Sequence, residues 1–201
     1  MAYGLSLLNY GGTAVAETLF GEVNPGGRLP ISFPRNVGQL PVFYNKIRPH
    51  EDYVDGSGTP LYPFGYGLSY TKFEVSEPTI AGNVVSVDVK NVGERMGDDV
   101  VQMYVHDDVV TTARPFWSLR GFRRVTLAPG ESRRVSFPLT GKELGYYNRM
   151  LEYVVEPGAF RVFVTDAAAP VGVETAKPEN LPCVVYLLAS YRRNRMMTWT
   201  T

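Results

Sequence analysis

The most restrictive feature of this 201-residue chain is the period of two in its apolar residues between positions 71 and 166. Successive side chains of a β-strand point to opposite faces, so this period indicates strands with one buried face. The alternating sets are Val85/Val87/Val89, Val101/Met103/Val105, Val135/Phe137/Leu139, Leu151/Tyr153/Val155 and Phe160/Val162/Val164. With further strands expected at 73–80 and 119–127, the pattern predicts about seven strands, as in a small antiparallel sandwich.

Two Pro-Gly turns separate these stretches. "LAPGES" and "VEPGAF" place Gly130 and Gly158 where a type II turn requires a positive φ. We expect "LAPGES" to close a hairpin, and the arginines around it to be solvated charges at strand edges, balanced by acidic residues. These arginines are Arg123, Arg124, Arg133 and Arg134. Because Cys183 is the only cysteine, no disulfide can form within the chain. The chain is therefore predicted to be mainly β, with a fibronectin type III-like or other immunoglobulin-like sandwich at 71–166.

The first 45 residues have a different pattern. A helix is expected over 13–20, with Thr13 as N-cap and Gly21 after its end, followed by a turn at "NPGGRLP" and one extended segment at 29–33. One helix and one strand cannot bury a core alone, so residues 1–45 are predicted to be a fragment of a larger α/β layer. Its apolar side chains would then form an exposed patch through which the chain associates. They are Val15, Leu19, Phe20, Ile31 and Phe33.

The stretch "PLYPFGYGLSYTKF", residues 60–73, concentrates aromatic side chains just before the first predicted sandwich strand. These side chains are Tyr62, Phe64, Tyr66, Tyr70 and Phe73. They fit either a stacking platform for sugar rings or a wedge between the α/β fragment and the sandwich. Their position at the junction favours the wedge.

The acidic residues and histidines that could act in catalysis or bind a metal do not occur at the spacings known for such sites. The acidic neighbours Glu51–Asp52, Asp98–Asp99 and Asp107–Asp108 are interpreted as solvated turn carboxylates, because adjacent side chains of an extended segment face opposite ways. His50 and His106 are expected at the surface, with no nucleophile elbow and no metal-ligand spacing around them. The sequence therefore predicts no catalytic residue, no metal and no cofactor, and it leaves the substrate-binding residues unknown.

Charge and hydropathy limit the partners. Lysine plus arginine equal aspartate plus glutamate, at 20 each, so no overall field favours nucleic acid or an anionic membrane. No signal peptide is recognised, and the apolar run 183–189 is too short to cross a bilayer, so a soluble chain is expected and its compartment stays open. Residues 167–201 are interpreted as a linker and an atypical tail. The tail fits a docked strand or helix, a membrane-surface patch beside Arg192, Arg193 and Arg195, or sequence without evolved structure.

Several motifs, in order from about Gly11 to Val164, resemble the C-terminal part of family 3 glycoside hydrolases, the β-glucosidase and β-xylosidase group. They are "GGTAVAETLFGEVNPGGRLPISFPRNVGQLPVFYN", "YVDGSGTPLYPFGYGLSYTKF", "VKNVGERMGDDVVQMYV", "RPFWSLRGFRRVTLAPGES" and "EYVVEPGAFRVFV". The resemblance implies a barrel, then an α/β sandwich domain, then a fibronectin type III-like domain. Residues 1–45 would close the α/β domain, 46–70 connect, 71–166 form the fibronectin-like domain and 167–201 follow it.

The resemblance also implies where the chemistry lies. The nucleophilic aspartate of the family lies in the barrel, and its usual acid/base glutamate lies in the barrel–sandwich cleft, so neither is carried over to any residue here. We expect a non-catalytic C-terminal accessory region, a partial gene product, whose parent enzyme acts on β-linked glucosides or xylosides. The alternative is a module that binds carbohydrate or cell wall.

Overall fold

The computed structural model describes residues 11–47, 56–108, 110–166, 184–190 and 198–200. No helix within these ranges is long and apolar enough to cross a membrane. The helices are α1 (Gly11–Leu19), a 3-10 turn (Val37–Gln39) and α2 (Gly141–Leu144). The strands are β1 (Phe73–Val75), β2 (Thr79–Ala81), β3 (Val84–Asn91), β4 (Gly97–Asp107), β5 (Ser118–Leu127), β6 (Ser132–Pro138), β7 (Tyr146–Tyr147), β8 (Tyr153–Val154), β9 (Gly158–Thr165), β10 (Val184–Ser190) and β11 (Thr198–Thr200).

Two antiparallel sheets form the sandwich. In the first, β3 pairs with β6 along most of its length and with β1 and β2 at its two ends. In the second, the strand order is β11-β10-β9-β4-β5. The fold class predicted from the sequence, mainly β with an antiparallel sandwich, is confirmed.

The alternating side chains meet between the sheets, as predicted. Val85, Val87 and Val89 of β3 are at most 1% exposed, and Val101, Met103 and Val105 of β4 at most 3%. The same core holds inward-facing residues of β5, β6 and β9, together with Leu139 and Leu144 beyond β6. These residues are Val125, Leu127, Val135, Phe137, Leu139, Leu144, Phe160, Val162 and Val164. Four of the five predicted sets therefore form the core.

The fifth set does not form the predicted strand. Leu151 is 81% exposed and has a φ of 61°, so it belongs to the turn between β7 and β8. The side chain of Asn148 accepts hydrogen bonds from the backbone N–H groups of Met150 and Glu152, which stabilises this tight turn. The strand expected over 73–80 is likewise divided into β1 and β2, with Pro78 between them, since proline cannot donate to a ladder.

The hairpin predicted at "LAPGES" is wrong. β5 pairs with β4 and β6 pairs with β3, so this turn carries the chain from one sheet to the other. Gly130 has the expected positive φ, 76°, whereas Gly158 is not among the residues with positive φ and begins β9. The flanking arginines carry exposed ion pairs, as predicted: Arg124 with Asp98, Arg133 with Glu131 and Arg134 with Asp88.

The N-terminal region differs from its prediction in detail. Helix α1 begins at Gly11, so Thr13 is not its N-cap. Residues 29–33 form no regular strand and instead pair with 61–66: Leu29 N–H donates to Tyr66 O at 2.8 Å, and Phe33 N–H to Tyr62 O at 2.7 Å. The predicted patch is exposed at Leu19, Phe20 and Ile31 and half-buried at Val15 and Phe33.

The apolar run of the tail forms β10, which pairs antiparallel with β9 from Val184 opposite Phe163 to Ala189 opposite Gly158. Of the alternatives for the tail, a docked strand is thus confirmed for 184–190. Cys183, Arg192, Arg193 and Arg195 lie outside the described residues.

The turn between the sheets gives a first prediction. Gly130→Ala meets no atom within 4 Å of the added Cβ, so its cost comes from the left-handed backbone alone. We expect the free energy of unfolding to fall by about 1–2 kcal/mol, measured by chemical denaturation. Gly12→Ala is the control: it has equal space inside α1 and should be neutral or stabilising by up to about 1 kcal/mol. Equal losses in the two variants would contradict the argument.

Candidate functional site

The candidate site is the contact between the sandwich and the N-terminal segment, by which we mean residues 11–47 and 56–70. Its centre is Tyr104 of β4. The neighbours of Tyr104, Met103 and Val105, point into the core, so the Tyr104 ring points to the outer face of the same sheet, yet it is 0% exposed. A strand that is buried on both faces requires a third layer. The N-terminal segment supplies it.

Aromatic rings from the segment cover Tyr104 directly. Tyr44 stacks on Phe64 with a centroid distance of 4.3 Å, and Tyr44 meets the edge of Tyr104 at 6.0 Å. Trp117 and Phe163 complete this outer cluster, at 2% and 8% exposure, and Leu119 and Phe116 pack against it. The Tyr44 hydroxyl also accepts a hydrogen bond from the Leu119 N–H at 3.3 Å. The cluster therefore joins the segment to β4, β5 and β9.

The aromatic stretch at 60–73 acts mainly as the predicted wedge. Phe64 lies in the outer cluster, and Phe73 packs against the main core. Tyr70 is half exposed, but its hydroxyl donates to the Thr18 carbonyl of α1 at 2.6 Å. Tyr62 and Tyr66 contact each other at 5.1 Å with their rings tilted by 36°, so these two do not form a flat platform.

The stretch "NPGGRLP" runs close along the start of β4 instead of forming the predicted turn. Gly26 lies so close to Asp98 that a Cβ on Gly26 would come within 2.6 Å of the Asp98 Cβ. Gly97 is equally confined, because its Cβ would lie 2.2 Å from the Asn24 side-chain nitrogen. These glycines permit the close approach of two backbones. That approach brings Arg28 to the sheet.

Arg28 forms a buried ion pair with Asp99. Its guanidinium donates to Asp99 Oδ1 at 2.5 Å, and the side chains are 17% and 0% exposed. The Asp99 side chain points toward the core, as that of Val101 does. The Asp98 side chain points to the opposite face and accepts hydrogen bonds from Thr126 and Arg124. The opposite orientation of the two aspartates is as predicted. The prediction of a solvated turn carboxylate is wrong for Asp99, because the segment covers it.

The environments of the two aspartates shift their pKa values in opposite directions. Burial raises the pKa of Asp99, the carboxylate of Asp166 raises it further, and Arg28 opposes both effects. Hydrogen bonds from Thr126 and Arg124 lower the pKa of Asp98. Asp99 is therefore the costly charge of the contact, and Arg28 is what compensates it.

A second charged group lies at the other end of β4. Asp107 pairs with Arg114 at 2.9 Å, and Asp108 pairs with Arg161 at 2.6 Å. His106 faces Asp108 through Nε2 at 3.2 Å and the Phe116 carbonyl through Nδ1. The side chains of Asp107 and His106 are only 2% and 13% exposed, so their predicted surface positions are wrong. Burial lowers the pKa of His106.

The ion pairs at this end of β4 are interpreted as a structural network. Each of the two carboxylates accepts from an arginine. Of these groups, His106 and Arg161 reach the outer cluster, through contacts with the Phe116 ring. Among the described residues, no group of three or more histidine, cysteine, aspartate or glutamate side chains could hold a metal ion. His50, Glu51 and Asp52 lie outside the described residues.

Sequence reasoning missed Arg28, Tyr44, Tyr104 and Trp117. A signal for Tyr104 exists: "VQMYV" at 101–105 is almost continuously apolar, which is typical of a strand covered on both faces. Arg28 offers no comparable signal, because its partner Asp99 is 71 residues away in the chain.

Known protein families and characterised proteins resemble this chain in sequence. Residues 7–70 match the family model described as the glycosyl hydrolase family 3 C-terminal domain, and residues 99–168 match the one described as a fibronectin type III-like domain. A periplasmic β-glucosidase of Salmonella typhimurium is 44% identical over 187 residues, which cover 83% of this chain and 24% of that protein. A β-xylosidase of Formosa agariphila is 50% identical over 170 residues, covering 76% and 23%.

Solved structures of β-glucosidases resemble this chain in fold as well as in sequence. A β-glucosidase of Erythrobacter marinus has a TM-score of 0.76 at 40% identity and matches 88% of this chain. A β-glucosidase of Listeria innocua has the same TM-score at 33% identity and also matches 88%. These matches cover 23% and 26% of the two structures, so the chain spans about a quarter of its relatives.

The fold thus contains a fibronectin type III-like domain, preceded by a segment that matches the glycosyl hydrolase family 3 C-terminal domain. The chain belongs to the family 3 glycoside hydrolases, whose C-terminal region it represents.

The ion pair gives a pH-dependent prediction. Arg28→Met leaves Asp99 buried without its guanidinium, which should destabilise the chain by about 3–5 kcal/mol at neutral pH. The pKa of Asp99 is raised in the folded state, so the folded variant gains protons as the pH falls, and the loss should shrink toward acidic pH. The measurement is urea denaturation over a pH series.

Arg124→Met is the control for this variant. Arg124 also pairs with an aspartate, but its side chain is 62% exposed, so a loss of at most about 1 kcal/mol is expected. A loss for Arg28→Met that is equally small, or that grows as the pH falls, would contradict the assignment.

The outer cluster gives a third prediction. Phe64→Ala removes the ring that stacks on Tyr44, and we expect a loss of about 2 kcal/mol, below the range of about 3–5 kcal/mol for a fully buried phenylalanine. Fluorescence of Trp117, which lies in the same cluster, should shift as water enters. Tyr62→Ala, at a side chain that is 42% exposed, is the control and should leave this fluorescence unchanged. An unchanged spectrum in Phe64→Ala would show that Phe64 does not seal the cluster.

Proposed function

We propose that this chain is a non-catalytic, structural region of a β-glucosidase-like glycoside hydrolase, and that it attaches the fibronectin-like domain to the catalytic part. One observation carries the proposal: the N-terminal segment is apolar on two sides. Its inner side, with Tyr44 and Phe64, covers the sandwich. Its other side exposes large apolar side chains: Leu19 at 73%, Phe20 at 85%, Ile31 at 59%, Leu40 at 62%, Phe43 at 50% and Ile47 at 58%.

The two sides alternate along the segment. Ile31 is exposed while the neighbouring Ser32 is buried and accepts a hydrogen bond from the Phe64 N–H at 3.1 Å. Phe43 is exposed while Tyr44 lies in the outer cluster. An exposed set of large apolar residues on this scale is typical of an interaction surface. We assign it to the remainder of the α/β layer of a parent enzyme, because the relatives are about four times as long as this chain.

The division into 1–45, 46–70, 71–166 and 167–201 is retained as part of this proposal. The substrates proposed for the parent enzyme are β-linked glucosides or xylosides, since the relatives are β-glucosidases and a β-xylosidase. The proposal assigns no residue of this chain to bond cleavage. Retaining hydrolysis needs two carboxyl groups about 5 Å apart across the sugar, whereas the buried aspartates of β4 are each paired with an arginine.

The first test is catalytic. The pure chain, incubated with an aryl β-glucoside, should release no product above the buffer rate, since no free carboxyl pair has been assigned to it. Saturable hydrolysis by the chain alone would contradict the proposal.

The second test is binding. The Salmonella typhimurium β-glucosidase, truncated before the region that matches this chain, supplies the missing layer, and the two should sediment as one complex. Phe43→Ser, on the exposed side of the segment, should weaken the complex at least tenfold. Met150→Ser, at a side chain that is 80% exposed on the β7–β8 turn, is the matched control and should have no effect. Equal effects of the two substitutions would show that the segment is not the docking surface.

A further inference from the structure

Three charged groups meet where the N-terminal segment reaches the sheet. Arg28 comes from the segment, Asp99 from the start of β4, and Asp166 directly follows β9. The β4–β9 ladder pairs Gln102 with Thr165, so Asp166 continues β9 toward the end of the sheet that holds Asp99. The group thus holds two carboxyl groups and one guanidinium, a net charge of −1 when both carboxyl groups are ionised.

The hydrogen bonds of the pair are incomplete on both sides. Arg28 donates to Asp99 Oδ1, and a backbone hydrogen bond from Val100 also favours the ionised carboxyl group. Asp99 Oδ2, in contrast, is buried and has no hydrogen-bond partner in the described residues. The Nε atom of Arg28 is likewise buried and unpaired in the described part of the chain. A buried carboxylate oxygen without a donor is costly, and a proton is the smallest ligand that relieves the cost.

Two charged groups of the described residues act on the carboxyl group of Asp99. They are Arg28, from the segment, and Asp166, at the end of β9. Asp98 and Arg124 lie on the opposite face of the sheet and pair with each other. One guanidinium therefore serves two carboxyl groups, and like charges that share a site cannot both ionise easily.

We propose that Asp99 and Asp166 bind one proton between them at the contact, at a pH where exposed aspartates are ionised. Arg28 neutralises one carboxylate and the proton neutralises the other, so the buried group becomes electrically neutral. The ligand of this site is a proton from solvent, and no covalent step is involved.

Both carboxyl groups agree with this assignment. Burial raises the pKa of Asp99 and, separately, that of Asp166, and Arg28 lowers each in part. A carboxyl group whose pKa is higher in the folded than in the unfolded state binds more protons when folded. The free energy of unfolding then rises as the pH falls through the folded-state pKa, and the gain is complete below the unfolded-state pKa. The N-terminal segment is therefore held more firmly in mildly acidic solution.

The test is carbon-13 NMR of the aspartate carboxyl groups in the full chain, between about pH 4 and pH 8. Asp98 is the control within the same strand, and its carboxyl carbon should show the ionised form throughout, because its pKa is lowered. At least one of the carbons of Asp99 and Asp166 should titrate inside this range. If both remain ionised throughout, as Asp98 does, the proposal is overturned.

A variant tests the sharing of the proton. Asp166→Asn removes the like charge and keeps the side-chain size, so the titration of Asp99 should move to lower pH. Asp98→Asn, on the opposite face, should leave that titration unchanged. A titration of Asp99 that responds equally to both substitutions, or to neither, would overturn the proposal. The spectra of the unaltered chain decide the matter even if a variant does not fold.

Discussion

The burial of Tyr104 is the constraint on which the rest of this structure depends. Its ring is 0% exposed on the side of β4 that faces away from the core, so the second sheet is covered on both sides near its centre. Without Tyr44 and Phe64, the rings of Tyr104, Trp117 and Phe163 would face water as one apolar patch. The sandwich and the N-terminal segment therefore pack together as one body, although they are consecutive regions of the sequence.

The segment contacts the fibronectin-like domain with one side and exposes large apolar side chains on the other. The proposed boundary between residues 70 and 71 divides the chain by topology, whereas the contacts of Arg28 and Phe64 cross that boundary. On the other side of the segment, Ile31 and Phe43 point outward with their apolar surface uncovered. A thin layer of this kind can bind a sheet on one side and a second layer on the other, which is the requirement for a structural joint between two domains.

The sequence predicted those parts of the fold that depend on local pattern. The phase of Val85, Val101 and Phe160 identified the inward-facing residues, because alternation is a property of one strand. Alternation cannot say which strand pairs with which, and this is why the connection at Gly130 was taken for a hairpin although it crosses between sheets. The solvated interpretation of Asp99 failed for a related reason: residues more than seventy positions away cover it. The absence of catalytic residues was inferred from the spacing of the acidic residues and histidines and from the resemblance, and it stays a prediction.

The apolar and the charged parts of the contact have different physical roles. The hydrophobic stabilisation from burying Tyr104 does not depend on direction, so the aromatic contacts alone would tolerate small shifts of the segment along the sheet. Asp99 does not tolerate them, because a buried carboxylate that loses its guanidinium costs several kcal/mol. Gly26 and Gly97 allow the backbones to approach until Arg28 reaches this carboxylate, and larger residues would hold them apart. The cluster therefore supplies the attraction between segment and sandwich, and the ion pair fixes the register in which they meet.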